Sequence, residues 1–176
     1  LSDNTRRIIR VREVCEKYNL GLIHRLSYCP IYKAGSTTWL YNLCLLNDVP
    51  ESQLLNGKEQ ISTIARRLGY KLIIGLQAMR GTTKLLVVRH PFERLLSAYR
   101  DKLENSKHFI PPRADQVIRK RGIPSPAGIE PTFGEFVEYL IDTDLASYGD
   151  DHWMPYYLFC TPCSLTYDIV AKVTNN

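Results

Sequence analysis

The run Lys84-Leu85-Leu86-Val87-Val88 constrains the fold of this chain more than any other segment. It is a continuous apolar stretch too short for a helix, and a strand apolar at every position is one covered on both faces. Such strands belong to largely parallel sheets flanked by helices, so the expected class is α/β with a central, mainly parallel sheet. The residues after the run agree. Arg89-His90 leads into a stretch from Pro91 to Glu104 in which Phe92, Leu95, Leu96, Tyr99 and Leu103 form a core stripe at helical spacing. Pro91 suits the first turn of that helix. A second segment repeats the layout: Leu22 to Tyr28 alternates loosely as a strand does and runs into Cys29-Pro30. Lys33-Ala34-Gly35-Ser36-Thr37-Thr38 then opens a helix from Thr37 to Leu46 that is apolar at nearly every position, the pattern of a fully buried helix.

Other elements emerge from periodicity. Asn4 to Tyr18 reads as an amphipathic helix closed by Gly21, Gly57 to Leu68 as a helix with Ile61, Ile64, Ala65 and Leu68 on one face, and Leu72 to Leu76 as a short strand. Ser106 to Pro131, rich in proline and basic residues, reads as a long surface excursion, either a substrate-contacting lid or a plain loop. Thr132-Phe133-Gly134-Glu135 is a capping box that opens a helix with Phe136, Val137, Leu140 and Ile141 apolar. Tyr167 to Val173 is strand-like, and no internal repeat is present. With 176 residues and 44% apolar content the chain can bury one sizeable core, so residues 1–176 are expected to form a single domain. Both ends read as cuts, a helix cap at Asp3 or Asn4 and a strand stopping three residues before the terminus, so a longer parent protein is expected.

The balance of 23 Lys+Arg against 18 Asp+Glu favours an anionic partner, whether nucleotide, polyanionic glycan or nucleic acid. No apolar run approaches the roughly 18 residues of a membrane span. Five cysteines, Cys15, Cys29, Cys44, Cys160 and Cys163, form no dense framework. Cys160-Thr161-Pro162-Cys163 has the spacing of half a zinc site or a redox pair, but only His152 lies near as a further ligand, which favours a structural disulfide or buried thiols.

The two strand-to-helix turns carry the chemistry. In the first, Gly35 permits close backbone approach, the start of the helix gathers N–H groups, and Lys33 adds a formal charge, so an anion belongs there. The triphosphate loop Gly-x-x-x-x-Gly-Lys-Ser/Thr is absent because the lysine precedes the single glycine. In the second, Arg89 sits at the carboxyl end of a buried strand, where open α/β sheets bind ligands. Helical spacing places Ser97 on a polar flank with Arg94 and Asp101, available to a second phosphate. The bland alternative for the first turn is a capped helix with a solvated lysine.

Lys-Ala-Gly-Ser-Thr-Thr-Trp from Lys33, and Val-Arg-His-Pro-Phe-Glu-Arg-Leu-Leu-Ser-Ala-Tyr-Arg-Asp-Lys from Val88, resemble the Golgi carbohydrate sulfotransferases of the chondroitin/dermatan 4-O and HNK-1 group. Asp151-His152-Trp153, Cys160-Thr161-Pro162-Cys163 and Tyr167 to Lys172 are similar to that group's downstream pattern. The resemblance spans about Cys29 to Lys172 and implies a three-layer, P-loop-like sulfotransferase fold. It implies 3′-phosphoadenosine 5′-phosphosulfate as donor, with Lys33, Ala34, Gly35, Ser36, Thr37 and Thr38 as the 5′-phosphosulfate loop and Arg89 with Ser97 on the 3′-phosphate. It also implies a glycosaminoglycan or glycoprotein-glycan acceptor, no metal, no nucleic-acid partner, and a Golgi-lumenal location behind a type II membrane anchor outside this stretch. The chain departs from the group by placing Ile31 and Tyr32 between Cys29-Pro30 and Lys33, and by Ser36 where a cysteine is common.

The expected reaction is in-line transfer of a sulfuryl group to a sugar hydroxyl, with Lys33 stabilising charge on the leaving phosphate and His152 as the base. His24, His90, His108, Glu51 and Glu59 are the other candidates for the base. The rival readings are a catalytically silent glycan-binding domain and an ATP-dependent phosphotransferase; intact Lys33, Arg89 and Ser97 disfavour the first and the missing triphosphate loop the second.

Overall fold

A computed structural model describes residues 25–68, 81–104, 117, 130–145 and 150–174. The expected helix at 4–18 and strand at 72–76 lie outside these residues, as does nearly all of the 106–131 excursion. Two compact units are distinguished, Leu1–Val88 with Tyr156–Asn176, and Arg89–Pro155.

The first unit is built on a sheet in the order β1 (Leu26–Cys29), β2 (Thr83–Arg89), β3 (Ile169–Val173), with β2 in the centre. The pairing of β1 with β2 is parallel, Leu26 opposite Thr83 and Cys29 opposite Leu86, so both strands run out at the same edge of the sheet. The apolar run behaves as its composition demands. Leu85 and Val87 point into one core while Leu86, on the opposite face, is equally buried. Ser27 and Thr82 share a hydroxyl hydrogen bond of 2.7 Å beside the β1–β2 pair. Asp168 fastens the start of β3: its backbone N–H donates to the Lys84 carbonyl at 2.9 Å, and its carboxylate accepts from the Lys84 N–H at 2.7 Å. That backbone hydrogen bond is the main reason the Asp168 carboxyl titrates below its ordinary range.

Helices α1 (Ser36–Leu46), α2 (Glu51–Leu55) and α3 (Ile61–Leu68) come after β1. The helix expected from Gly57 begins only at Ile61. Buried Leu40, Leu43 and Cys44 of α1 meet Leu54, Ile64 and Ala65, with Tyr28, Leu85 and Val87 from the sheet. Helix α1 is not buried all round, contrary to its composition: Leu45 and Leu46, at 36% and 47% exposure, lie off the stripe that faces the sheet. A helix laid on a sheet covers one side only, and the surplus apolar residues fall at its far end.

Tyr28 is 2% exposed, and burial raises its phenol well above the ordinary value. Its hydroxyl finds no hydrogen-bond partner among the described residues. A buried polar atom without a partner carries a desolvation cost that a phenylalanine of the same shape escapes. Tyr28→Phe is therefore expected to leave stability unchanged or raise it by up to about 1 kcal/mol in chemical denaturation. A loss above about 1 kcal/mol would mean the hydroxyl is satisfied.

The second unit contains α4 (Pro91–Lys102) and α5 (Phe133–Asp142). The capping box forms as expected, with the Thr132 hydroxyl accepting from the Glu135 N–H at 3.3 Å and the Glu135 carboxylate accepting from the Thr132 N–H at 2.8 Å. Ala98, Tyr99, Leu103, Val117, Phe136, Tyr139 and Trp153 make its core. Phe136 stands edge-on to Trp153 at 5.2 Å, and the Tyr99 hydroxyl donates to the Pro131 carbonyl at 2.9 Å. Two residues of the expected stripes are exposed instead, Phe92 at 75% and Ile141 at 76%. Phe92 lies in the first turn of α4, off the side on which Arg94, Ala98 and Tyr99 are buried, and the α5 face is centred on Phe136 and Tyr139 rather than on its last turn.

Candidate functional site

The loop between β1 and α1 is fixed from behind. Ile31 is fully buried, and a disulfide joins Cys29 to Cys160, 131 residues away, with a Cα–Cα distance of 6.0 Å. That pairing removes Cys160 from any zinc site and settles the Cys160-x-x-Cys163 spacing as structural at its first position. Cys44 is a buried thiol whose pKa burial pushes up, and Cys163 is exposed. Among the described residues no His, Cys, Asp or Glu cluster has the arrangement of a metal site.

From this anchor the chain turns sharply. Ala34 is fully buried and its N–H donates to the Ile31 carbonyl at 3.2 Å, so its amide closes the turn. Lys33 and Gly35 on either side are left-handed, with φ of 66° and 75°. Lys33 is not a residue type that adopts this conformation cheaply, and such strain concentrates where a ligand is held. Alternating handedness of successive residues turns backbone N–H groups toward one concavity, an anion-binding arrangement. Gly35 is also the N-cap of α1 and has no side chain to cap it. The first intrahelical bond runs from the Trp39 N–H to the Gly35 carbonyl at 3.1 Å. The Ser36, Thr37 and Thr38 amides precede it and have no carbonyl within the helix to donate to. No acidic residue occupies the first turn. Thr37 and Thr38 are exposed, whereas Ser36 is 8% exposed and turns inward.

Room is not what demands glycine at position 35. A Cβ there would meet Val173 at 3.7 Å and Trp39 at 3.9 Å, ordinary contacts. The left-handed φ is the constraint.

Arg89 ends β2 and is mostly buried, its Nε donating to the Glu93 carboxylate at 3.3 Å across one turn of α4. Ser97 lies two turns into the same helix, half-buried. Arg94 does not share a polar flank with it, as helical spacing alone suggested. It is 5% exposed and on the Ala98 face, and its two terminal nitrogens donate to the Met154 carbonyl at 2.9 Å and the Asp151 carbonyl at 3.1 Å. Its charge is spent on holding a turn.

That turn carries His152. The His152 Nδ1 lies 2.5 Å from Asp150 Oδ1, and the same oxygen accepts the His152 backbone N–H at 3.0 Å. Of the other base candidates, Glu59 is held by both terminal nitrogens of Arg67 at 2.9 Å, and Glu51 accepts the Tyr41 hydroxyl. His90 is exposed beside Phe92, and His24 and His108 lie outside the described residues.

An uncapped helix start after a left-handed turn at the end of a parallel strand, without a triphosphate motif, narrows the possibilities, and comparison with known proteins decides between them. Residues 23–175 match the model of the sulfotransferase family. The chain belongs to the sulfotransferase family. It is 43% identical over 156 residues to human carbohydrate sulfotransferase 14, covering 85% of this chain and 40% of the relative. It is 32% identical over 160 residues to mouse carbohydrate sulfotransferase 8, covering 85% and 38%, and 31% identical over 182 residues to rat carbohydrate sulfotransferase 10, covering 90% and 47%. The chain thus spans less than half the length of these relatives. No solved structure matches. The α/β architecture with a parallel β1–β2 pair is in keeping with a sulfotransferase-family fold.

Proposed function

We propose that this chain transfers a sulfuryl group from 3′-phosphoadenosine 5′-phosphosulfate to a hydroxyl of a glycan, either a glycosaminoglycan or a glycoprotein glycan. The observation that carries the reading is the Lys33–Thr38 loop: two left-handed residues, one of them a cation, set immediately before a helix start with neither a side-chain cap nor an acidic residue in its first turn. The names of the relatives support a carbohydrate acceptor, and the net charge of +5 suits both a polyanionic donor and a sulfated glycan.

In this reading the amides of Gly35 to Thr38, with the exposed hydroxyls of Thr37 and Thr38, hold the 5′-phosphosulfate, and Ala34 shapes the turn beneath them. Ser36 contributes its amide, its side chain being packed inward. Arg89 and Ser97 hold the 3′-phosphate, the Nε of Arg89 being engaged by the Glu93 carboxylate at 3.3 Å. The sulfur–oxygen bond to the phosphate breaks as a bond from sulfur to the sugar oxygen forms. Lys33 stabilises the charge left on the phosphate. His152 removes the proton of the sugar hydroxyl. The Cys29–Cys160 disulfide fits an oxidising compartment, which supports a Golgi-lumenal location with the type II membrane anchor outside this stretch.

Calorimetry on the full-length protein with 3′,5′-adenosine bisphosphate and with ATP tests the donor site. Charge-assisted hydrogen bonds of this kind are worth about 1.5–3 kcal/mol, so Arg89→Ala is expected to weaken the bisphosphate roughly 10- to 100-fold. Ser97→Ala should weaken it by less, and ATP should bind more weakly than the bisphosphate. Unchanged bisphosphate affinity in both variants would retire the assignment of Arg89 and Ser97.

A further inference from the structure

We infer that Asp150 is a positioning residue for His152: it selects the imidazole tautomer and thereby the nitrogen that accepts the proton. This rests on the proposed role of His152 as base.

The turn that carries His152 is held at several points. The Asp150 carbonyl accepts the Trp153 N–H at 3.0 Å and the Met154 N–H at 2.7 Å, closing the backbone around the histidine. Arg94 grips the carbonyls of Asp151 and Met154, one on each side of it. Trp153, next in sequence, is 5% exposed against Phe136. A backbone fixed in this way leaves the histidine few ring positions. Asp150 then chooses among them, because one carboxylate oxygen accepts both the His152 backbone N–H and the ring Nδ1.

An ionised carboxylate accepts hydrogen bonds and donates none, so Nδ1 must carry the hydrogen. In the neutral ring the lone pair then resides on Nε2. Once Nε2 takes the hydroxyl proton, the ring is a cation with a carboxylate at 2.5 Å, which stabilises the charge that transfer creates. The side chains of Asp150 and His152 are each 17% exposed, little enough for the pair to escape full screening by water.

A turn residue without a catalytic task would place the same carboxylate against the same backbone N–H, so the test must read the ring itself. In the full-length protein, 15N NMR of the histidine side chains is expected to show His152 as the Nδ1–H tautomer. In Asp150→Ala it should move toward Nε2–H, with kcat lowered roughly 10-fold or more, because an aligned base supplies ~100-fold or more. The Kd of 3′,5′-adenosine bisphosphate should stay unchanged. Asp150→Asn, whose amide oxygen can still accept both hydrogens, should keep the tautomer and recover part of kcat even if the alanine variant folds poorly. An unchanged tautomer in Asp150→Ala would overturn the inference whatever the rates. A changed tautomer with wild-type kcat would overturn it too. His152→Ala separates the two readings: wild-type turnover there would remove His152 as base, a result the tautomer measurement alone cannot give.

Discussion

Lys33→Ala is expected to lower sulfate transfer about 100- to 1,000-fold while leaving the fold in place, since one oxyanion-type contact is typically worth about 3–4 kcal/mol in the transition state. The expectation comes from where the cation sits. Lys33 comes after the buried Cys29-Pro30-Ile31 anchor and precedes fully buried Ala34, so its backbone is fixed even though its side chain is only partly covered. Its φ of 66° is a strained conformation for any residue with a Cβ, alanine included. The alanine variant therefore keeps the backbone cost and loses the side chain that carries the charge. Lys33→Gly makes a useful control, because it relieves the strain without restoring the cation. If turnover depends on charge, both variants are inactive. Activity is to be measured on the full-length protein with labelled donor and a panel of chondroitin, dermatan and related glycans, alongside thermal unfolding. Turnover close to wild type in Lys33→Ala would remove the residue from the mechanism.

Much of the scaffold was legible because it is written in local patterns. The unbroken Leu85-Leu86-Val87 run required a strand covered on both faces, and Thr132 with Glu135 required a helix start; both are local constraints, and both hold. The Lys33–Thr38 turn was legible for the same reason, a single glycine between a lysine and a helix. What periodicity could not supply was the extent of the partner surface. Phe92 and Ile141 obey their stripes and are still exposed, because a stripe states an angle around the helix axis and says nothing of how far the neighbouring core extends.

Arg94 illustrates a second limit. Its partners are backbone carbonyls 57 and 60 residues further along, and a carbonyl leaves no mark in the amino-acid sequence. Helical spacing sets it with Ser97 on a polar flank, and only the tertiary fold reveals it as a buried clamp on the His152 turn. Asp150 stood visibly two residues from His152, but a carboxylate two residues from a histidine is common, and only the shared oxygen distinguishes this pair. The cysteines show a third limit. Five thiols give no connectivity, and the pair that forms joins residues 131 apart.

That pairing leads to the largest expected effect on stability. In the chain-entropy account a cross-link closing a loop beyond 100 residues stabilises by up to about 5 kcal/mol, and losing a native disulfide typically costs about 2–5 kcal/mol. Cys29→Ser/Cys160→Ser is accordingly expected to lower the unfolding midpoint by roughly 10 °C, taking ~2–4 °C per kcal/mol for a chain of this size. The double variant is preferable to either single one, which would leave a lone thiol at a site that buries Cys160 completely. Cys163→Ser is the control: Cys163 is exposed and outside the pair, so a change within about 0.5 kcal/mol is expected. The loss should also reach the proposed donor site. Cys29 lies four residues before Lys33, and the bridge to Cys160 holds the strand end from which the Ala34 turn is built. Releasing it should weaken 3′,5′-adenosine bisphosphate binding even at temperatures where the protein stays folded, because the loop amides must then be ordered by the ligand itself. If the midpoint falls and bisphosphate affinity does not, the disulfide braces the sheet alone, and the loop owes its shape to Pro30, Ile31 and Ala34.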